Sequence, residues 1–326
     1  MKRTDVPPGR AAAAEQSAAP SPHDETVFTT SAAIHSRRTQ WVALSLLPNI
    51  GTKTLGNLLA HFDGDLAAIF SAGTTELRKV SGIGAKLARE IGKIDLDRLA
   101  DEQAQWEGCG VQTLTSSDAL YPAHLKDAED HPPTVFVRGC LQPDAWKQCL
   151  SIVGTRYPSQ VAKILTLQLS MKLARAGVTV VSGLALGIDA AAHASALEVG
   201  GTSIAVLGSG VLNVYPPQNR LIAGRILGSG ALLSEVHPRL APNAQRLVSR
   251  NRIISALGGA LIVVESDIDG GAMHSARFAR EQGRRVFTFR LPASGNRQLM
   301  RDGAAVLPSD LDQALGYLLK HVASLD

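Results

Sequence analysis

Arginine, asparagine and glycine carry the chemistry that stands out in this chain. The run Arg246-Leu247-Val248-Ser249-Arg250-Asn251-Arg252 holds three arginines and an asparagine within seven residues, just before the apolar Ile253-Ile254. A guanidinium is a planar fork of donors that matches phosphate oxygens. Arginine is also poorly placed at the positive end of a helix unless an anion offsets it. A solvated helix start is the plainer alternative, but the cluster abuts apolar strand segments, not a polar tail, and that favours phosphate. Other short polar runs each follow an apolar segment: Gly154-Thr155-Arg156, Ser182-Gly183-Leu184-Ala185, Gly208-Ser209-Gly210, Ser234-Glu235, and Glu265 through Gly270-Gly271. Glycine lets a phosphate oxygen reach the main chain, Thr155 and Ser182 add hydroxyls, and Arg156 adds a fixed charge.

The central run is Val178–His193, VTVVSGLALGIDAAAH. Val178, Thr179, Val180 and Val181 favour a buried strand. Ser182 and Gly183 end it, Gly187 permits a close backbone approach, and Asp189 reads as the N-cap of the alanine-rich helix that follows. Such a turn leaves bare N–H groups where anions bind, although any strand-to-helix connection looks similar. Asp189 and His193 lie one helical turn apart; a cap and a packed imidazole explain them better than an acid–base pair. Glu235 and Glu265 end strands, where they read as hydrogen-bonded to nearby N–H groups or arginines, not as a hydrolytic pair. His131, His237 and His274 lack metal-ligand spacing. No catalytic residue, metal or cofactor is expected. Aromatic residues make up 4% of the chain, so a broad stacking surface is not expected; Tyr157 and Tyr215 are the two candidates near the polar runs.

The elements that must position these residues alternate. Strands are expected at Ser151–Gly154, Val178–Ser182, Ser203–Leu207, Ala231–Ser234, Ala260–Glu265 and Arg285–Phe289, with mostly helical segments between them. Val161, Leu165, Leu169 and Leu173 read as one helical stripe, ended by Gly177 as a C′ residue. Such alternation predicts a mostly parallel sheet covered on both faces, with ligands at the carboxyl ends of its strands. Ahead of it, Val111–Thr115 and Thr134–Val137 are shorter strand candidates. Trp41–Leu47 and Leu55–Phe62 have helical spacing, and Gly82-Ile83-Gly84 followed by Lys86 looks like a helix-hairpin-helix turn. Residues 1–40 are rich in Ala, Pro, Ser and Thr without periodicity and read as a disordered tail, with Arg37 and Arg38 solvated or touching a polyanion. The expected domains are the 1–40 tail, a helical domain at 41–108 and an α/β domain at 109–326. The 326 residues carry a formal net charge of +4, which permits an anionic partner. Three cysteines without metal spacing suit a reducing compartment, and no apolar run approaches a membrane span or signal core, so the expected location is cytoplasmic.

Six runs occur in order: VGTRYPS (153–159), SGLALGIDAAAH (182–193), AVLGSGVLNVYPPQN (205–219), Ser234-Glu235, SRNRIIS (249–255) and EQGRRVF (281–287). Together, over roughly residues 41–310, the chain resembles the DNA-processing DprA/Smf family. The resemblance implies a small SAM-like helical domain before an extended Rossmann-like domain. It also implies single-stranded DNA binding, a homodimer, and loading of the RecA recombinase onto incoming strands in natural transformation. The phosphate-contacting set expected from the polar runs and the resemblance is Gly154, Thr155, Arg156, Ser182, Gly183, Gly208, Gly210, Arg246, Ser249, Arg250, Asn251, Arg252, Gly270 and Gly271. There are departures. Leu186 stands where many relatives carry arginine, and Leu247 is nearest to a phenylalanine able to stack on a base. Asp269-Gly270-Gly271-Ala272-Met273 stands where relatives carry a Ser-Gly-Ser-Leu segment and brings a carboxylate near the site. The winged-helix module of many relatives is not expected after the helix at Leu311–Val322.

An enzyme that binds or hydrolyses nucleoside monophosphates on a Rossmann-like sheet is the alternative. Its Pro-Gly-Gly-x-Gly-Thr-x-x-Glu run is missing; DIDGGAMHSARFARE stands in the corresponding place. The first turn, GTRYPS, also lacks a dinucleotide fingerprint.

Overall fold

A computed structural model describes residues 35–140 and 143–322. The disordered tail expected at the N-terminus lies, up to residue 34, outside the described residues. From Arg37 the chain is already helical. Helix α1 (Arg37–Ser45) starts inside the segment read as tail because Ser36 caps it, accepting from the Thr39 N–H. Arg37 and Arg38 are not free: Arg37 donates to the Gly64 carbonyl at 3.0 Å and Arg38 pairs with Asp118 at 2.9 Å.

Five more helices follow: α2 (Thr52–His61), α3 (Leu66–Ser71), α4 (Thr74–Leu77), α5 (Ala85–Ile91) and α6 (Leu96–Gly108). Leu44, Leu55, Leu58, Ile69, Leu77 and Ile91 form their core. The turn ahead of α5 is a hairpin: Gly82 takes φ 91°, Ile83 is buried beneath it, and Gly84 is the N-cap.

Nine strands form one sheet: β1 (Val111–Thr115), β2 (Thr134–Gly139), β3 (Cys149–Val153), β4 (Thr179–Ser182), β5 (Ser203–Val206), β6 (Ala231–Ser234), β7 (Ala260–Val263), β8 (Arg285–Phe289) and β9 (Ala305–Leu307). Their order is β1-β2-β6-β5-β4-β3-β7-β8-β9. β1–β2 and β2–β6 are antiparallel, and every other pairing is parallel. Three expected strands end early: Gly154, Leu207 and Val264-Glu265 leave the ladder for the loops at the strands' carboxyl ends. β9 was not foreseen, its three residues being too few to show a period.

Between strands lie α7 (Ala123–Lys126), α8 (Gln160–Arg175), α9 (Ile188–Glu198), α10 (Arg220–Ser229), α11 (Ala244–Ser249), α12 (Asn251–Leu257), α13 (Gly271–Glu281) and α14 (Ser294–Arg301), and α15 (Leu311–Val322) follows β9. Strand side chains alternate between two cores. Cys149, Val153, Leu261 and Val263 pack with α12 and α13, while Leu150, Ile152, Ala260 and Ile262 pack with α8, α9 and α15. This is the doubly covered sheet that the strand composition required. A third cluster joins Val42, Leu99 and Trp106 of the helical region to Phe136 of β2 and Leu232 of β6. Beside it, Glu102 of α6 meets His237 at 2.9 Å, and that hydrogen bond holds the carboxyl below its usual range.

Helix α8 corrects the expected stripe. Leu169 and Leu173 are buried, but Val161 is exposed, and Ala162 and Thr166 turn inward instead. Residues four apart drift about 40° per step around a helix, so a long i+4 series leaves the buried face. The helix ends as expected: Gly177 takes φ 82°, its N–H donates to the Ala174 carbonyl, and the Val178 N–H reaches Leu173.

Candidate functional site

β3 has β4 on one side and β7 on the other, so the chain's winding reverses between β3 and β7. The loops leaving two such strands diverge and open a crevice at their carboxyl ends. A cleft of about 730 Å³ lies there.

The β3 loop forms one wall. Gly154 has no room for a side chain between Ile188 and the Glu265 carbonyl. The Thr155 N–H donates to that carbonyl at 2.8 Å, and the Thr155 carbonyl accepts from the Ile188 N–H at 3.2 Å. The loop is thus fixed on both sides, and Arg156 projects from it, exposed, with no side-chain hydrogen bond or ion pair among the described residues. Glu265 is spent on the Ser159 N–H at 2.7 Å.

The start of α13 forms the facing wall. Gly270 is its N-cap; no side chain caps the helix and no acid lies in its first turn. Gly271, Ala272 and the buried Ser275 line the cleft. The first N–H groups of a helix have no partner within it, so this end carries donors and partial positive charge. Asn296 holds the approach: its side chain accepts from the Ser266 N–H and donates to the Val264 and Phe289 carbonyls. Asp269, expected near the site, is exposed and lies outside the lining.

The central turn departs from expectation. Gly187, at φ 80°, is the N-cap of α9, and Asp189 lies inside the first turn. Its buried carboxylate reaches back to accept from the Gly183 N–H at 3.1 Å and the Ala185 N–H at 3.3 Å. Arg250 Nη1 donates to the Gly183 and Val206 carbonyls, and its Nε donates to Asn251 Oδ1 at 3.0 Å. Asn219 donates to the Leu184 and Ala185 carbonyls at 2.8 and 3.1 Å. Ser182 is fully buried and donates to the Ile152 carbonyl at 2.5 Å. The turn's polar groups are therefore paired internally. Burial raises Asp189 and lowers Arg250, and their mutual attraction opposes both shifts. Below them His193 bonds Ser203 Oγ at 2.7 Å, and burial drops its pKa to about 3. No hydrogen bond joins it to Asp189.

Of the expected set, Gly154, Thr155, Arg156, Arg250, Asn251, Gly270 and Gly271 meet at the cleft. Gly183 lines a smaller adjoining recess. The other six do not reach the cleft. Ser182 is buried as described. Gly208 and Gly210 are glycine because the backbone of 246–247 and the Pro238 carbonyl crowd them. Arg246 folds back onto the Ala241 carbonyl at 2.8 Å, and Ser249 donates to the Arg246 carbonyl. Arg252 pairs with Glu235 and, at 3.5 Å, with Asp130. Residues two apart on a helical turn point about 200° apart, so Arg250 and Arg252 diverge. Glu235 and Glu265 are each held by an arginine or an N–H, as their types suggested.

Tyr157 and Tyr215 both stand at the cleft, as do Leu247 and Val248 of α11. Sequence reasoning missed Ser275, Asn219 and Asn296. Asn219 sat within a recognised run, VYPPQN, and was open to notice; a lone buried asparagine such as Asn296 gives no local signal.

Comparison with known proteins places the chain among DNA-processing proteins. The family described as "DNA recombination-mediator protein A" matches residues 112–318. Protein Smf of Synechocystis sp. is 35% identical over 290 residues, covering 85% of this chain and 71% of that protein. The DNA processing protein DprA of Bacillus subtilis is 35% identical over 208 residues, covering 62% and 70%. Among solved structures, DprA of Streptococcus pneumoniae superposes with a TM-score of 0.72 at 26% identity, over 85% of this chain and 95% of that one. DprA of Helicobacter pylori, described for its single-stranded DNA binding mode, gives 0.59 at 28% identity, over 64% and 96%.

Proposed function

The chain belongs to the DNA recombination-mediator protein A family, and on that premise we propose that it binds single-stranded DNA through the cleft between β3 and β7. The observation that carries this reading is the pairing of an unpartnered Arg156 with the uncapped start of α13 across one crevice. Two donor systems, one charged and one made of backbone dipoles, line a single cleft together with the buried Arg250. Gly154, Thr155, Asn251, Gly270 and Gly271 let the phosphate chain approach the main chain. The family role that follows is DNA processing: holding incoming single strands in the cytoplasm as a homodimer and loading RecA on them during natural transformation.

The role proposed is binding without catalysis. A hydrolase would need a free carboxylate in the cleft, whereas Asp189 there is occupied by two N–H groups, and Glu235 and Glu265 are committed elsewhere. Among the described residues no helix is long and apolar enough to cross a membrane.

Fluorescence anisotropy with a labelled single strand and its duplex, at several salt concentrations, tests the reading. The single strand is expected to bind more tightly, with affinity falling linearly on a log–log salt plot. Arg156→Ala should cut the slope by about 0.7, one phosphate contact on a single strand. Arg252→Ala should leave it unchanged. A salt-independent signal, or a slope moved by Arg252→Ala and not by Arg156→Ala, would sink the cleft assignment.

A further inference from the structure

A groove of about 340 Å³ is lined by α10, the loop after β5, and strands β2 and β6, and it shares no lining residue with the cleft. Its lining is of two kinds. Leu212, Val214 and Leu227 are half-buried and Leu232 is buried, while Arg138 of β2 and Arg220 of α10 bring positive charge. No carboxylate lines it. Arg220 is exposed, with no side-chain hydrogen bond or ion pair among the described residues. Arg138 donates only its Nε, to the Cys109 carbonyl at 3.2 Å.

Helix α10 is shaped for a close neighbour that the fold does not supply. Arg220, Ala223, Gly224 and Leu227 fall at i, i+3, i+4 and i+7, so one face of the helix meets the groove. Gly224 and Gly228 are exposed, and a Cβ added at either would meet nothing within 4 Å. Glycine inside a helix costs stability relative to alanine, and nothing within the chain requires it at these two positions. Beside them Leu221 is 85% exposed. The helix holds no acidic residue, and Glu198 of α9 answers only Arg225, at 3.4 Å.

These features select among occupants. A second copy of the chain seated on the same face would set Arg220 against Arg220 with no carboxylate between them. A nucleic acid strand would find two arginines but no aromatic ring, and its phosphates would lose water against leucine and valine. An amphipathic helix lays apolar side chains into such a groove and backbone against the glycines, and acids at its flanks reach the arginines. We propose that the groove between α10 and the loop after β5 docks an acidic amphipathic helix of a partner protein. The proposal goes beyond the single-strand reading and does not rest on it.

The probes are labelled helical peptides of about 15 residues, with leucine at every third or fourth position and glutamate at the flanking ones. Twins carry glutamine in place of glutamate. By anisotropy, the wild-type chain should bind a glutamate peptide about tenfold more tightly than its twin. Arg220→Glu should weaken the glutamate peptide about fivefold and its twin hardly at all. Gly224→Gln fills open space on the helix, so it should fold with an equal or higher Tm and weaken both peptides about tenfold. Oligothymidylate should not displace the peptide. Absence of binding by every glutamate peptide, equal binding of the twins, or binding unmoved by both variants would overturn the proposal. Displacement by oligothymidylate would also overturn it, and would make the groove part of a strand path.

Discussion

Two turns of this molecule share one local design and end in opposite states. After β4, Ser182-Gly183-Leu184-Ala185 leads through Gly187 into α9; after β7, the chain leads through Gly270-Gly271 into α13. Both join a buried strand to a helix through glycine at the sheet's carboxyl edge. In the first, Asp189 takes the N–H groups of Gly183 and Ala185, and Arg250 and Asn219 take three of the carbonyls. In the second, no side chain caps the helix and nothing acidic enters its first turn. A glycine-rich turn thus keeps its backbone donors free only where the protein has not already supplied an anion. Asp189 plays that part internally, and the first turn becomes a buttress for the wall that the second turn faces.

Arg250→Ala should have the largest effect. It removes the donor to Gly183 and Val206 and leaves Asp189 buried without its counter-charge, so urea denaturation should show a loss of about 3–5 kcal/mol. A loss under 1 kcal/mol would mean the first turn is not held shut by this residue. Beneath the same turn, His193 adds acid sensitivity. Its folded pKa of about 3 lies below the ordinary 6.5, so protons favour the unfolded chain. The stability contribution is complete above about pH 6.5 and falls as pH drops towards 3, by up to about 1.4 kcal/mol per unit. His193→Gln should flatten stability between pH 6 and 4; an unchanged pH profile would exclude His193 as the cause.

The open turn gives the third expectation. Gly271 has free space where a side chain would begin and no unusual φ, so Gly271→Asp should fold normally. Its carboxylate would occupy the α13 end as Asp189 occupies the other turn, and single-stranded DNA affinity should fall about tenfold. Retained affinity with an unchanged salt slope would show that phosphates do not sit at this helix. Smallest is the effect of Arg156→Ala on stability, expected within about 0.5 kcal/mol because the side chain is exposed and unpaired; a larger loss would mean that Arg156 is already used by the fold.

Much of this architecture was legible in the residues. The β-branched run at 178–181 became β4, Gly177 became the C′ residue of α8, and Gly154, Arg156, Gly270 and Gly271 reached one cleft. What was misread has a common cause. Arg250 and Arg252 look equivalent in a line of text, but a helical turn sends one under the cleft and the other to Glu235 and Asp130. Ser182 looked like a free hydroxyl, and Gly208 and Gly210 like phosphate-binding glycines. Each is shaped by a neighbour from another element: Ile152, the backbone of 246–247 and Pro238.

The sequence by itself determined the alternation of strands and helices, the family and the placing of polar runs at strand ends, because these depend on local periodicity and on residues close together in the chain. Only the tertiary structure decided which of those runs stayed open. Backbone donors and acceptors in a folded interior must find partners, and the partners come from far along the chain: Arg250 reaches Gly183 across 67 residues and Asn219 reaches Leu184 across 35. Whether an N–H group is left for a phosphate is settled by that distant pairing, which no stretch of sequence around the group contains.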